Sequence, residues 1–203
     1  MGTLPADFYD RPVLAVARDL IGCTVEYRDA AGVIVETEAY HESEPACHAF
    51  VGLTPRTKTL FGEPGRAYVY RSYGIHALLN AVCEPEGIGA AVLIRALSPT
   101  EGIEAMRSRR GPVASPARGR GVGDLHELCS GPGKLTQALG ISLAENEGSL
   151  SDGPVVIRAR GEGWLEPPVD EGTRVGITRA VELRWRFCVV GDPNVSRPRP
   201  RVL

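Results

Sequence analysis

The sequence predicts an α+β fold: a single domain over residues 1–203, with a curved, mostly antiparallel sheet flanked by helices and a protruding β-hairpin. Three observations predict it. Strand-like and helix-like stretches do not alternate regularly, which argues against a doubly wound parallel sheet. Two pairs of strand-like stretches are joined by short turns, the pattern of hairpins. The length of 203 residues, with 43% hydrophobic and 24% charged residues, suits one globular domain with a sizeable core.

Each element has a local reason. Asp10 and Pro12 precede the apolar series Val13, Leu14, Val16, Ala17, Leu20 and Ile21, which stops at Gly22. A capped helix with an early proline and a glycine stop is expected there. Residues 23–28 and 33–39 read as strands around the turn DAAG. Residues 41–65 are polar with scattered Gly and Pro, a long loop of the kind that is more often functional than idle. AYVYRSY (67–73) and IHALLNAVC (75–83) form a second hairpin around Gly74, and GAAVLIRAL (89–97) is a buried strand. Ser98 and Glu101 have capping-box spacing, with Pro99 at the first helical position, so a helix is expected from there to Gly111-Pro112. Residues 112–123 are rich in Gly, Pro and Arg. A short helix opens after Pro132 and closes at Gly140. Residues 154–160, 173–179 and 182–190 read as further strands.

Composition excludes several classes. No apolar run is long enough to cross a membrane, and the N-terminus lacks a basic region followed by an apolar one. A cytoplasmic location is the simplest expectation. Five cysteines occur without any CxxC, so neither a zinc knuckle nor a thioredoxin-like site is signalled. The net charge of −2 taken alone argues mildly against nucleic acid. Its distribution is uneven: residues 36–45 are acidic, whereas 107–120 carry Arg107, Arg109, Arg110, Arg118 and Arg120, and Arg197, Arg199 and Arg201 follow in the tail. Such clusters suit phosphate binding, and equally a solvated loop and tail.

Four groups of residues can carry chemistry. In VETEAY (35–40), strand alternation puts Glu36, Glu38 and Tyr40 on one face. A carboxylate among apolar and aromatic groups can act as a general base at neutral pH. Two carboxylates two residues apart lie roughly 7 Å from each other, a spacing that inverting glycosidases also use. An exposed charged strand face is the plain alternative. Tyr68, Tyr70 and Tyr73 gather half of the six tyrosines, with Tyr73 beside the turn at Gly74. Protruding rings suit wedging between stacked bases, and rings in a pocket suit stacking on one; tyrosine is also simply common in strands. Glu38, His41 and Cys47 invite a metal reading, but their spacing fits hydrogen-bonded side chains better. SGPGK (130–134) offers helix N-terminal amides and Lys134 to a phosphate, without P-loop spacing.

The order of these motifs says more than any one of them. VETEAY, a His eight residues on, YVYRSYG, Asn80, LIRALSPTEG and LCSGPGKL together resemble the alkyladenine (3-methyladenine) DNA glycosylase family, from about Phe8 to Ser196. The resemblance implies a monofunctional enzyme that flips a damaged purine out of duplex DNA and hydrolyses its N-glycosidic bond, with no metal, no cofactor and no lyase step. It implies Glu38 as the base that activates water, with Arg95 and the main-chain carbonyl of Val175 holding that water. Tyr40, His48 and Tyr70 match the walls around the flipped base, and Ala46 a main-chain donor to it. Asn80 matches the residue that discriminates against undamaged purines, and Leu93 lies beside the pocket. Tyr73 matches the wedge that enters the duplex from the minor groove, and Thr54, Arg56 and Lys134 complete the DNA-contacting set.

The expected partner is double-stranded DNA with a damaged purine, with no membrane, and the protein is expected to act as a monomer. Excision of 3-methyladenine and 7-methylguanine is expected; the resemblance leaves hypoxanthine and ethenoadenine open. After His48, the run Ala49-Phe50-Val51-Gly52-Leu53 stands where relatives have Ser and basic residues, which shifts phosphate contact to Arg56, Lys58 or the 107–120 arginines. Two other classes compete: a non-catalytic module that senses damaged DNA, and a nucleoside or glycoside hydrolase for small substrates. The first needs neither Glu38 nor Arg95; the second does not need Tyr73.

Overall fold

A computed structural model describes residues 2–111 and 125–199. Its centre is a curled sheet of eight strands whose pairings are all antiparallel. Mixed helices pack on it, giving the expected α+β class. Helices α1 (Ala6–Tyr9) and α2 (Val13–Asp19) precede β1 (Thr24–Tyr27) and β2 (Ala30–His41). Next come β3 (Ala67–Ser72), β4 (His76–Val82), β5 (Ala90–Glu101), α3 (Ile103–Arg110) and α4 (Pro132–Leu139). Short strands β6 (Val155–Arg158), β7 (Val169–Gly172) and β8 (Arg186–Val189) complete the sheet.

The two twelve-residue strands β2 and β5 form the spine. β4 and then β3 extend it on the β5 side. On the other side β2 serves two neighbours in turn: its first half pairs with β1 and its middle with β8. Both edges of β2 are therefore paired. Ile34 and Ala39 pack into the main core with Val16, Ala17 and Leu20 of the α2 region, and Thr37 donates its hydroxyl to Ala17 O at 2.8 Å. The opposite face carries Glu36, Glu38 and Tyr40, as strand alternation predicts.

Four expectations need correction. The helix expected from Ser98 begins only at Ile103, because Ser98, Pro99 and Glu101 continue β5 and pair with Val33, Gly32 and Ala31. The ladder shifts register at this point, and a proline, which has no N–H, is tolerated at such an irregularity. The proposed Asp10 cap is absent; Pro12 stands before α2 and makes no side-chain cap. The first hairpin turns at Arg28-Asp29, one step before DAAG. Residues 173–179 form no strand, whereas Val169–Gly172 do. The 41–65 loop contains two short 3-10 helices, His48–Val51 and Lys58–Phe61. The whole segment 112–123, with Arg118 and Arg120, and the tail's Arg201 lie outside the described residues.

Candidate active site

Strand register brings distant residues into one row. Tyr68 faces Asn80, Asn80 faces Leu93, Leu93 faces Glu38, and Glu38 faces Arg186 across five strands. Directly opposed residues share a face of a sheet. That face floors a cavity of about 630 Å³. Tyr40, Ala46, His48, Tyr70, Asn80 and Leu93 all line it, as do Arg95 and Val175. Tyr73 and Lys134 stand at the same cavity.

Glu38 lies just behind this wall, with no exposed surface. The Val175 N–H donates to its Oε1 at 2.7 Å. The Tyr40 hydroxyl and Arg95 Nη1 donate to its Oε2 at 2.8 and 3.2 Å. All three of these partners line the cavity. Burial pushes the Glu38 carboxyl above the usual carboxylate range; Arg95, the Val175 N–H and Tyr40 oppose that shift without cancelling it, and the nearby Glu36 charge adds to it. Burial, and then the Glu38 charge, drives the Tyr40 phenol upward, so Tyr40 stays a donor.

Arg95 reaches this position through irregular pairing. Glu36 pairs with Ala96 and Thr37 with Ile94, so Arg95 is an extra residue on β5. Bulges of this kind re-aim a side chain. Arg95 then spans the two glutamates, with Nε donating to Glu36 Oε1 at 2.8 Å. Glu36 also receives Arg186 Nε at 2.7 Å, and the Ser196 N–H and hydroxyl at 2.7 and 2.9 Å. Burial alone would raise the Glu36 carboxyl, yet Arg95 and Arg186 hold it below the usual range. The two carboxylates thus share one arginine and do not act as an equivalent pair.

The aromatic wall is ordered by contact. Tyr68 and Tyr70 stack with ring centres 5.3 Å apart, and His48 stands edge-on to Tyr70 at 4.6 Å. His48 Nδ1 lies 3.1 Å from the Tyr68 hydroxyl. Burial, then Arg56, holds the His48 pKa below its ordinary value. Asn80 Nδ2 donates to Tyr68 O and Leu78 O at 3.0 and 3.3 Å, which fixes its amide plane.

Tyr73 sits at the hairpin tip beyond the last pair, Ser72 with His76, and is 86% exposed. Its φ of 49° and the 70° of Gly74 are both in the left-handed region, as the tight turn closed by the Ile75 N–H on Ser72 O at 3.1 Å requires. Ile75 beside it is also exposed. The glycine in SGPGK has a packing reason: a Cβ on Gly133 would lie 2.7 Å from the His76 ring. Lys134 is held by Glu127 Oε2 at 2.6 Å and Ser130 Oγ at 3.2 Å. Thr54 bonds to Thr57, and Arg56 is exposed. The α3 residues Arg109 and Arg110 engage Ala138 O and Gln137 within the fold.

Some expected contacts take another form. The Ala46 N–H already donates to Glu44 Oε2 at 2.8 Å. Val175 touches Glu38 through its N–H. His41 turns to Ser43 and Glu84, and the Cys47 sulfur accepts the Ala49 N–H. Among the described residues no cluster of His, Cys, Asp and Glu has metal-site geometry. Sequence reasoning missed Arg174, Glu44, Arg186 and Ser196. Their partners lie 130 to 160 residues away, so no local pattern signals them.

The chain as a whole is similar to known proteins. The family model for methylpurine-DNA glycosylase matches residues 7–193. A protein of Bradyrhizobium diazoefficiens is 54% identical, covering 96% of this chain and 90% of the relative. One from Rhodopseudomonas palustris is 49% identical over 96% of this chain and 88% of its own length. One from Methanoculleus marisnigri is 46% identical over 96% and 99%. All three carry the provisional name 3-methyladenine DNA glycosylase. With a family model matched over nearly its whole length and relatives of this identity, the chain belongs to the methylpurine-DNA glycosylase family.

Proposed function

We propose that the protein excises methylated purines, 3-methyladenine and 7-methylguanine among them, from duplex DNA as a monofunctional glycosylase, with residues 1–203 as one catalytic domain acting as a monomer. One observation carries this reading: a buried carboxylate of raised pKa, Glu38, is held by three groups that themselves wall an aromatic cavity. A target base is inaccessible inside a duplex, so the nucleotide must be flipped into such a cavity. Glu38 takes a proton from water as the oxygen bonds to C1′. The N-glycosidic bond breaks, and its electron pair leaves with the purine. A methylated, positively charged purine departs as a neutral base, which lowers the barrier. The products are free base and an abasic sugar; no amine attacks C1′, so no lyase step follows. Carboxylate charge also stabilises the oxocarbenium-like transition state.

The test is incubation of a duplex carrying one 7-methylguanine, then alkali to cleave abasic sites. Strand breakage above an undamaged control is expected; none would defeat the reading in favour of a module that only binds damage. Equal release from free 7-methylguanosine would favour a hydrolase of small substrates. The buried Glu38–Arg95 pair argues against the first, since binding alone needs neither. The exposed Tyr73 at the tip argues against the second.

Two predictions concern recognition. Tyr73→Ala removes the ring that would fill the vacated space in the duplex. Affinity for abasic-site DNA should fall by roughly 10-fold, in keeping with about 1–3 kcal/mol per stacked base, and a titration of labelled duplex reads it. Asn80 presents a fixed amide beside Leu93, suited to reject an exocyclic amino group by clash. Asn80→Ser should raise the release of undamaged guanine relative to 7-methylguanine; an unchanged ratio removes Asn80 from that role.

A further inference from the structure

Arg174 stands behind the cavity wall, its side chain fully buried. Nη1 donates to Glu44 Oε1 at 2.6 Å and to Ala39 O at 3.0 Å, and Nη2 to Glu44 Oε2 at 3.0 Å. The guanidinium carbon lies 4.6 Å from the centre of the Tyr40 ring and 5.3 Å from that of Trp185. Tyr40 lines the cavity and Arg174 does not, so the cation stands against the ring from outside the cavity. The same side chain organises two more cavity groups. Its partner Glu44 takes the Ala46 N–H, and the next residue, Val175, donates to Glu38.

We propose that Arg174 is a positioning residue that also sets the charge preference of the base cavity, making the Tyr40 wall favour neutral bases over cationic ones. The inference rests on the base-stacking role given to Tyr40 above. An aromatic face attracts a cation through its quadrupole. With one cation already against the ring, a second on the cavity side meets repulsion across the ring in a poorly solvated site. Glu44 reduces that repulsion without abolishing it, because the positive end of the ion pair is the end against the ring. Tyr70 differs: its ring neighbours are Tyr68 and His48, and burial keeps His48 from charging. The exposed Arg56 nearby is screened by solvent. Cationic purines then draw mainly on Tyr70, and neutral damaged purines mainly on Tyr40.

The experiment uses the full chain carrying Glu38→Gln, so that bound duplex is not turned over. Affinities are measured for duplexes with 7-methylguanine, which is cationic, and hypoxanthine, which is neutral. Adding Arg174→Gln should shift the affinity ratio toward 7-methylguanine by about 3- to 10-fold. Arg174→Lys, which keeps the charge, should weaken both and leave the ratio near its starting value. An equal loss on both duplexes with Arg174→Gln would reduce Arg174 to scaffold and overturn the proposal. Because that change leaves Glu44 buried and unpaired, Arg174→Gln with Glu44→Gln is measured as well, and the same shift is expected. Wild-type protein that releases no methylated purine would defeat the glycosylase reading and this inference with it. An unmoved ratio beside an active wild type would defeat this inference alone.

Discussion

Replacing Glu38 by Gln should reduce single-turnover excision of 7-methylguanine by roughly 10²- to 10⁴-fold, the usual contribution of a positioned general base. Binding of damaged duplex should persist, because Tyr40, Tyr70 and His48 remain and Arg95 keeps its bond to Glu36. The loss should not come from unfolding. Burial raises the Glu38 pKa, so the folded state disfavours its ionised form. By linkage, that carboxylate detracts from stability once pH exceeds its unfolded value, increasingly so up to its folded pKa. An uncharged Gln relieves this cost, although its amide N–H group then faces the donors of Arg95 or Tyr40. Thermal unfolding at neutral pH should therefore show a Tm close to that of the wild type. The same shift predicts the pH profile. Activity needs the ionised base, so kcat/KM should fall as pH drops through a midpoint above 4.5, the ordinary Glu value. Full activity in Glu38→Gln, or an acid limb at or below that ordinary value, would remove Glu38 from the role.

How much of this was legible in the sequence depends on the range of the interaction. Alternation is a property of adjacent residues, so the shared face of Glu36, Glu38 and Tyr40 could be read directly. The hairpin tip at Tyr73 could be read for the same reason, from two strand patterns around Gly74. The capping-box spacing at Ser98 misled because a strand can carry the same letters. What decides there is β2, whose residues from Ala31 to His41 pair with β5 from Glu101 to Ala90, apart from the residues left out at the register shifts. Residues 173–179 alternate β-branched and polar types, yet Val175, Ile177 and Thr178 line the cavity from an irregular segment. That segment is held through the Arg174 side chain, which no strand pattern contains. Arg95 was legible as a residue type in LIRAL, but its bridge between the glutamates depends on a bulge, and register irregularities leave no mark in one strand read alone. Glu36 stayed unassigned for a similar reason: Arg186 and Ser196 are 150 and 160 residues downstream.

Glu36→Gln should be the most destabilising single change at the site, by about 3–5 kcal/mol, the usual cost of breaking a buried ion pair by removing one partner. The buried cluster balances two carboxylates, Glu36 and Glu38, against two arginines, Arg95 and Arg186. Removing the Glu36 charge takes from Arg186 the one carboxylate paired with it among the described residues, whereas Arg95 keeps Glu38. Gln also brings an N–H group into a pocket built from donors: Arg95 Nε, Arg186 Nε and the Ser196 N–H. A urea titration should show a lower midpoint with an unchanged slope. The sign with pH is opposite to that for Glu38. The folded-state pKa of Glu36 is depressed, so its stabilisation is present above the ordinary carboxylate range and is lost as pH falls through its folded value. The wild type should lose stability on acidification more steeply than Glu36→Gln does. The substitution should also act on catalysis through Arg95. The Glu36 charge helps to raise the Glu38 pKa, and without it Arg95 is free to favour the Glu38 carboxylate more strongly. The acid limb of kcat/KM should then move to lower pH in Glu36→Gln. A variant of full stability with an unmoved acid limb would show that the cluster is not coupled to the base. A stability loss with an unmoved limb would confine Glu36 to the scaffold.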